Sequence, residues 1–411
     1  MKLFFVLIDG AGDKGEKTPF SEAYKPNIDF LAKMGKCGLA KTFDKDYSWR
    51  ELAINGSNWG TASLLGYKIS EHCLRRGPLE AYGIGREIHE NEVALRINFA
   101  SLSSEGKIDR RSGRNAEGIE ELVKYVNRQI MLSSTDSADF ELIHTSGHRG
   151  VLIIRCSSGV SDNISTTDPL VNDALPKRCS AKDDSIQAQT TAHLVNEIIA
   201  KSNKLLTSHR INIERQKKGL LPINFILTRG AGTKLPALEN LSYKYKREFA
   251  CIAPMPVERG ICKSAGMDLL WTDKPSNSSN NDALKALEYI EKNINEYDCF
   301  FICVKGPDVF GHDGDFDGKK ESIEWLDANF FKKLLEITNF KDSVYVVASD
   351  HATPVSEKRH SLEPVPFLIS GAEIPADLVN KFCEGECLKG YFGLIDATKV
   401  LEIAMVEINE R

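Results

Sequence analysis

The fold class follows from Lys2-Leu-Phe-Phe-Val-Leu-Ile8, a short apolar run that ends abruptly at Asp9. The same pattern, an apolar run followed within a few residues by an aspartate, occurs twice more: at 299–304 with Asp308 and at 344–348 with Asp350. Short runs that are apolar throughout predict strands buried on both faces of a parallel sheet. Because the ligand site of such a sheet lies beyond the carboxyl ends of its strands, the three aspartates are predicted to share one edge.

Strands and helices alternate along much of the remaining chain. Further strands of the same sheet are predicted at 223–228, 249–253 and 365–369. Helices, with apolar residues three and four positions apart, are predicted at 28–34, 186–206, 282–294 and 319–335. This alternation is typical of an α/β fold with a doubly wound, mostly parallel sheet.

The middle of the chain has a different pattern. From about residue 96 to 180 the apolar runs are shorter, and Ser, Gly and Asn are common. Strands are predicted at 93–99 and 151–156, with a helix at 118–130. We therefore expect a smaller α+β domain at 96–180, inserted into a core domain formed by 1–95 and 181–411.

Composition and charge argue against several functional classes. Of the 411 residues, 42% are hydrophobic and 27% are charged, which is typical of a globular chain. The net charge of -5 argues against a nucleic-acid partner, and no apolar run approaches the roughly 20 residues of a membrane span. The ten cysteines are scattered, and the first apolar run ends too early for a signal peptide. We expect free buried thiols and a cytoplasmic protein.

Three carboxylates and three imidazoles occur in the segments that follow the predicted strands. They are Asp9, Asp308, Asp350, His312, His351 and His360. Mixed oxygen and nitrogen ligands suit divalent Mn, Zn, Mg or Co, and two ions would share the negative charge. A single Asp-x-x-x-His is more often a helix cap beside an ordinary loop histidine. Three aspartates at strand ends, each near a histidine or a second carboxylate, favour the metal site.

A nucleophile is predicted within Asn55-Gly-Ser-Asn-Trp-Gly60, a polar, glycine-flanked segment that reads as a turn. A serine exposed at such a turn, here Ser57, is activated when a metal ion lowers the pKa of its hydroxyl. The alternative is an ordinary turn or helix cap, which is the commoner meaning of Asn-Gly-Ser.

Several arginines lie beside small residues in or near the predicted insert. The candidate anion-binding residues are Arg76, Arg110, Arg111, Arg149 and Arg259. The planar guanidinium group binds phosphate or carboxylate through two parallel hydrogen bonds. Any one of these arginines taken alone is as well explained by solvated surface charge.

The motifs together resemble the archaeal-type, cofactor-independent phosphoglycerate mutases of the alkaline phosphatase superfamily. The matching segments, in chain order, are Asp9-Gly-Ala-Gly-Asp13, Gly56-Ser57, Leu64-Leu-Gly-Tyr67, Arg76-Gly-Pro-Leu-Glu-Ala81, Asp109-Arg-Arg-Ser-Gly-Arg114, Gly147-His-Arg-Gly150, Thr167-Asp-Pro169, Arg229-Gly-Ala-Gly232, Gly311-His-Asp-Gly-Asp-Phe316 and Ser349-Asp-His-Ala-Thr-Pro354. They cover nearly the whole chain, which makes the resemblance far more specific than any single motif.

This resemblance implies an alkaline phosphatase-like fold and an isomerase of glycolysis and gluconeogenesis that interconverts 3-phosphoglycerate and 2-phosphoglycerate. It implies Ser57 as the nucleophile that carries the phosphoryl group. One divalent ion, Mn being expected and Mg, Co or Zn possible, would be held by Asp9, Ser57, Asp350 and His351. A second ion would be held by Asp308, His312 and His360. The arginine-bearing insert would cover the small phosphoglycerate substrate; the oligomeric state stays open.

Two alternatives remain at this point. A phosphomonoester hydrolase would use the same serine and ions but release phosphate to water, and a non-catalytic relative would keep only the fold. The family follows its serine with an acidic residue, whereas this chain has Asn58 and then Trp59. We expect Asn58→Asp to be neutral or activating, and Trp59 to narrow or reshape the pocket.

Overall fold

The structure, a computed structural model, describes residues 1–133, 137–276 and 278–409. Its strands are β1 (Lys2–Ile8), β2 (Gly35–Lys41), β3 (Glu92–Leu102), β4 (Ile108–Asp109), β5 (Ala138–Ser146), β6 (Arg149–Cys156), β7 (Phe225–Gly232), β8 (Phe249–Ile252), β9 (Asp268–Leu269), β10 (Cys299–Val304), β11 (Ser343–Ser349), β12 (Val365–Gly371) and β13 (Gly393–Asp396). Its α-helices are α1 (Pro19–Glu22), α2 (Pro26–Lys33), α3 (Trp49–Leu64), α4 (Arg76–Gly83), α5 (Ile119–Gln129), α6 (Ile186–Thr207), α7 (Arg210–Lys217), α8 (Leu241–Tyr245), α9 (Pro256–Ser264), α10 (Ser279–Asn293), α11 (Pro307–Asp313), α12 (Phe316–Leu326), α13 (Lys332–Ile337), α14 (Glu384–Cys387) and α15 (Val400–Asn409).

The chain packs as two units. The first unit comprises Met1–Leu74 and Pro236–Arg411, and the second comprises Arg75–Leu235. The insert expected at 96–180 lies within the second unit, which extends further at both ends. The extension follows from packing: α4, α6 and β7 contact β3 or its sheet neighbours, so they belong with the second sheet.

The sheet of the first unit has the order β13-β2-β12-β11-β1-β10-β8-β9. β1 is central and pairs in parallel with β10 and β11, with Ile8 beside Val304 on one side and Ser349 on the other. This register confirms the α/β fold class and the mainly parallel sheet. It also brings the carboxyl ends of the three strands to one edge.

The core of the first unit explains why these strands are apolar throughout. Phe4, Phe300 and Tyr345 are fully buried on adjacent strands, and Phe4 stacks on both neighbours with ring centroids 5.4 and 5.6 Å apart. Residues of α2, α10 and α12 complete the same hydrophobic cluster. Burial of each large side chain contributes about 1.5–3 kcal/mol to folding.

The sheet of the second unit is antiparallel where β3 pairs with β6 and with β7. The predicted strand at 223–228 is therefore real but was assigned to the wrong sheet: β7 pairs with β3, not with the parallel sheet. Apolar strands look alike from sequence, whichever sheet buries them. The strand predicted at 365–369 does join the first sheet, but β12 runs antiparallel to β11 and β2.

The helix predicted at 319–335 is interrupted. A π-helical segment, Asp327–Phe331, separates α12 from α13. The buried Asp327 carboxylate accepts hydrogen bonds from the backbone N–H groups of Asn27 and Ile28 at the start of α2, whose N-cap Lys25 makes no side-chain cap. The local bulge thus supplies a cap to another helix, a use that periodicity cannot reveal.

All ten cysteines of the described chain are free thiols, and only Cys73 is exposed. This agrees with the expected absence of a disulfide framework in the part of the chain that the structure covers. Within the same residues, no helix has the length and apolar character required to cross a membrane.

Candidate active site

The predicted acidic and imidazole residues meet beyond the carboxyl ends of β1, β10 and β11. Asp9 follows β1 directly, Asp350 follows β11 directly, and Asp308 lies in the first turn of α11 after β10. Two sets of potential ligand atoms lie within 4.8 Å of one another: Asp9 with Asp350 and His351, and Asp308 with His351 and His360. His312 is one turn after Asp308, with its Nε2 3.6 Å from the Asp308 carboxylate.

Backbone carbonyls fix the tautomers of two imidazoles. His312 Nδ1 lies 3.1 Å from the carbonyl of Lys358, and His360 Nδ1 lies 3.0 Å from the carbonyl of Leu52. Because a carbonyl can only accept, each Nδ1 carries a proton, and the neutral form of each imidazole presents a lone pair at Nε2. The two Nε2 atoms are 3.2 Å apart. Two facing lone pairs repel unless a cation lies between or beside them, so this pair fits a metal ion.

The carboxylates of the other set, Asp9 and Asp350, lie close together. Asp350 Oδ1 accepts from the backbone N–H groups of Gly10 and His351, at 2.9 and 3.0 Å. Among the described residues, no donor hydrogen-bonds to Asp350 Oδ2, although this atom is buried. Burial, and then the charge of Asp9, raise the pKa of Asp350 well above its usual range. A divalent cation would relieve both effects.

Asp308 is held differently. Burial favours its neutral form, but the imidazoles of His312 and His360 hold the pKa of Asp308 well below its usual range. The Thr353 hydroxyl also donates to Asp308 Oδ1 at 2.7 Å. The carboxylate is thus ionised and oriented, as an oxygen ligand of a divalent ion must be.

Ser57 lies beside these residues, but on a helix. The turn predicted at 55–60 is wrong, because Ser57 is in the middle of α3 and its Oγ is 3.3 Å from His351 Nε2. Gly56 and Gly60 allow α3 to pack closely against Asp350 and His360. A Cβ at Gly60 would lie 1.9 Å from the carbonyl oxygen of Asp350, and one at Gly56 would lie 2.4 Å from His360 Nδ1. The missed signal was the capping box of Ser48 and Glu51 at the start of α3.

Lys305 is a site residue that the sequence analysis did not single out. Its Nζ lies 3.1 Å from Asp9 Oδ1 and 2.6 Å from Glu258 Oε1. Burial disfavours the ammonium ion, but Asp9 and Glu258 hold the pKa of Lys305 well above its usual range. The sequence analysis could have found Lys305 from its position, because it directly follows the apolar run predicted as a strand at 299–304.

Comparisons with known proteins identify the family to which this site belongs. A family model described as 2,3-bisphosphoglycerate-independent phosphoglycerate mutase matches residues 32–212. A protein of that name from Methanocaldococcus jannaschii is 35% identical over 98% of this chain and 96% of its own length. The chain belongs to this family. A second member, from Pyrobaculum aerophilum, is 36% identical over the same shares of the two chains.

Solved structures agree with the assignment to the phosphoglycerate mutase family. The cofactor-independent phosphoglycerate mutase of Thermoplasma acidophilum has a TM-score of 0.58 at 25% identity, with both chains covered completely. A Pyrococcus horikoshii protein has a TM-score of 0.78 at 24% identity, covering 100% of this chain and 98% of its own, which shows a shared fold.

Four of the five predicted substrate arginines of this phosphoglycerate mutase family member lie in the second unit. Arg110 donates two hydrogen bonds to the buried Asp168 carboxylate, at 2.6 and 2.7 Å. Arg76 pairs with the buried Glu80 at 2.8 Å. Arg111 and Arg149 lie near His148, where burial and then the charge of Arg149 hold the imidazole pKa well below its usual range. Arg110 and Arg114 also act on this imidazole, so four arginines lie around His148.

Arg259 does not join that group. It is buried in the first unit, and its guanidinium donates to the backbone carbonyls of Ala253, Pro254, Thr272 and Asp273, at distances between 2.5 and 3.1 Å. Four of its five N–H donors are therefore already used. The structure gives Arg259 a role in holding the chain around α9, and we withdraw it as a substrate ligand.

The two departures from the family pattern also have structural explanations. Asn58 is fully buried, and its Nδ2 donates to the carbonyl of Leu74 at 2.9 Å. Trp59 packs on Tyr47, with ring centroids 4.4 Å apart, in a cluster with Phe43, Leu52 and Ile69. Trp59 thus has a packing role within the first unit, and its effect on the pocket stays a prediction.

Proposed function

We propose that this member of the phosphoglycerate mutase family interconverts 3-phosphoglycerate and 2-phosphoglycerate through a phosphorylated Ser57. The observation that carries the proposal is the position of Ser57 Oγ, 3.3 Å from His351 Nε2 and therefore beside both sets of potential metal ligands. This reaction belongs to glycolysis and gluconeogenesis, and we propose the cytoplasm as its location.

The proposed reaction uses two divalent ions. Asp9, Ser57, Asp350 and His351 would hold one ion, and Asp308, His312 and His360 the other. When bound, such ions lower the pKa of a serine hydroxyl and neutralise charge on the phosphoryl oxygens. The buried Asp350 Oδ2, which has no hydrogen-bond donor among the described residues, and the facing Nε2 atoms support this assignment. We propose Mn²⁺, with Mg²⁺, Co²⁺ and Zn²⁺ as the alternatives for the assay.

The side chains around Ser57 supply orientation and fixed charge. α3 holds the hydroxyl on a continuous helix, so the nucleophile is placed before the substrate binds. Lys305, held by Asp9 and Glu258, adds a permanent positive charge on the Asp9 side, where phosphoryl oxygens gain from it.

We propose that arginines of the second unit bind the substrate. Arg76, Arg110, Arg111 and Arg149 would bind its carboxylate or phosphate, because guanidinium groups match these anions in shape and charge. A mutase must retain the glycerate while the phosphoryl group is on serine, and then return the group to the other hydroxyl. A hydrolase does not need to retain the glycerate, so the arginines favour the mutase.

The test is a pair of assays on the Mn²⁺-loaded protein with 3-phosphoglycerate. One couples 2-phosphoglycerate formation to enolase, and the other measures free phosphate. We expect rapid isomerisation without added 2,3-bisphosphoglycerate and little phosphate release. Phosphate release without isomerisation would establish the hydrolase instead, and no signal in either assay would indicate a non-catalytic relative. Repeating the assay with each alternative ion identifies the preferred metal.

A further inference from the structure

A fully buried lysine joins two loops of the candidate active site. Lys319, near the start of α12, donates to the backbone carbonyls of Gly12 and Thr353, each at 2.9 Å, and to the Asp13 carboxylate at 3.0 Å. An ammonium group has three donors, and all three are used. Gly12 lies in the loop that carries Asp9 after β1, and Thr353 lies in the loop that carries Asp350 and His351 after β11.

Thr353 in turn touches one residue from each set of potential metal ligands. Its Oγ1 lies 2.7 Å from Asp308 Oδ1 and 3.1 Å from His351 Nδ1. An ionised carboxylate can only accept, so the single hydroxyl proton of Thr353 goes to Asp308. The hydroxyl oxygen must then accept from His351 Nδ1–H. The neutral imidazole of His351 is left with its lone pair at Nε2, which faces Ser57 and the Asp350 carboxylate.

We propose that Lys319 and Thr353 are positioning residues that link the two metal sets: Lys319 fixes the backbone of Thr353, and the Thr353 hydroxyl fixes both the tautomer of His351 and the orientation of Asp308. Neither side chain is proposed to touch substrate. The inference rests on the proposed function only in taking these side chains as metal ligands. Partners of this kind affect metal affinity by about 10- to 100-fold when they are removed.

A purely structural role is the competing explanation. A buried ammonium ion is costly unless it is well paired, so replacing it could simply destabilise the fold. The chain offers a matched control in Lys25, which is also fully buried in the first unit and pairs with Asp29 at 2.9 Å. Lys25 makes no hydrogen bond to the loops that carry the proposed ligands among the bonds that the structure describes.

The experiment measures Mn²⁺ binding to the full chain by isothermal titration calorimetry, in Thr353→Val, Thr353→Ser, Lys319→Met and Lys25→Met. Valine keeps the shape of threonine without the hydroxyl, and serine keeps the hydroxyl. We expect Thr353→Val and Lys319→Met to weaken Mn²⁺ binding by about 10- to 100-fold. Thr353→Ser should bind within about threefold of the parent, and Lys25→Met should lose thermal stability while binding Mn²⁺ normally.

A second measurement reads the tautomer directly. In the metal-free protein, the imidazole ¹⁵N signals of His351 should show the proton at Nδ1 in the parent and in Thr353→Ser. In Thr353→Val we expect a mixture of both tautomers. This measurement keeps the inference testable if Lys319→Met fails to fold.

The inference is overturned if Thr353→Val binds Mn²⁺ as tightly as the parent, if Lys25→Met loses as much affinity as Lys319→Met, or if the parent binds no Mn²⁺. Mutase activity is measured separately on the parent protein. A parent that binds Mn²⁺ with the expected variant pattern but does not isomerise phosphoglycerate would contradict the proposed function and leave the positioning role standing.

Discussion

The two units of the molecule bury charge in opposite ways. In the first unit, the carboxylates of Asp9 and Asp350 share one cationic neighbour, Lys305. In the second unit, two buried carboxylates are each contacted by two arginines: Glu80 by Arg76 and Arg96, and Asp168 by Arg110 and Arg229. Negative charge is in excess in one unit and positive charge in the other.

Unused hydrogen-bonding atoms follow the same division. Among the described residues, Asp350 Oδ2 has no hydrogen-bond partner in the first unit, and neither does Arg229 Nε in the second. Burial, and then the charge of Arg76, lower the pKa of Arg229 to about 9. Buried charges persist in proteins when they are paired or bind a ligand. The comparison teaches that the first unit complements cations and the second complements anions.

The largest effect is expected from Ser57→Ala, which removes the proposed nucleophile but no charge. Mutase activity should fall by about 10⁴-fold or more, while thermal stability stays close to the parent value and Mn²⁺ still binds through the remaining proposed ligands. The coupled enolase assay and calorimetry measure both quantities. Ser63→Ala, which removes another buried hydroxyl of α3, is the matched control. Retained turnover in Ser57→Ala would exclude a phosphoserine.

Hydrogen exchange tests whether the first unit binds cations and the second unit binds anions. Mn²⁺ should slow exchange at the amides of Gly10 and His351, which donate to Asp350, while 3-phosphoglycerate without metal should slow exchange around residues 110–114 and 149. At a hundred times the dissociation constant, binding stabilises the folded state by about 2.7 kcal/mol, which is a hundredfold change in exchange rate. If Mn²⁺ alone slowed exchange in the second unit, the proposed contrast between the two units would be wrong.

Glu92, unlike the carboxylates of the candidate active site, is paired directly with arginines. It is buried in the second unit between Arg86 and Arg155; burial favours its neutral form, but the arginines lower its pKa to about 2. Because the folded-state pKa is depressed, the stabilisation is complete above the unfolded value near 4.5 and is lost as the pH falls toward 2. Glu92→Gln should therefore lower the free energy of unfolding at pH 7 by on the order of 2 kcal/mol.

Denaturant titrations at pH 7 and pH 3 measure this effect. The difference between parent and Glu92→Gln should shrink at the lower pH. Glu141→Gln removes the half-exposed partner of Arg86 and should change stability by about 0.5 kcal/mol or less. Equal losses in the two variants would mean that burial does not strengthen the Glu92 cluster.

A loss of stability similar in size to that of Glu92→Gln is expected from Asn58→Asp. The sequence suggested a neutral or activating change, but Asn58 Nδ2 donates to Leu74, and a carboxylate would leave that carbonyl facing a buried negative charge. We expect a loss of about 1–3 kcal/mol at pH 7, read from thermal unfolding. Asn58→Ala separates the lost hydrogen bond from the added charge. Full stability in Asn58→Asp would show that the site is not adapted to the amide.

The sequence predicted the first unit better than the second, for physical reasons. β1 and β10 match their predicted bounds residue for residue, because strands buried on both faces appear as uninterrupted apolar runs. β7 has the same appearance but pairs in the other sheet, since nothing in a short apolar run encodes its partner. The division of the chain at Arg75 and Leu235 depends on those pairings.

The candidate site shows the same limit. Strand-end aspartates could be found because topology alone brings them together. Ser57 was found with the wrong local structure, since Gly56 and Gly60 resemble a turn until the neighbours at Asp350 and His360 are known. Arg259 was assigned to substrate because its four carbonyl acceptors are backbone atoms, which no sequence pattern displays. Lys305 and Lys319 were overlooked because their partners lie far away along the chain.

The central place of β1 has a consequence for biosynthesis. Both of its sheet neighbours, β10 and β11, follow it about 300 residues later in the chain. At roughly 5–20 residues per second, the apolar side chains of β1 are synthesised on the order of 15–60 s before their partners. The central part of this sheet therefore cannot form during translation until β11 has been made.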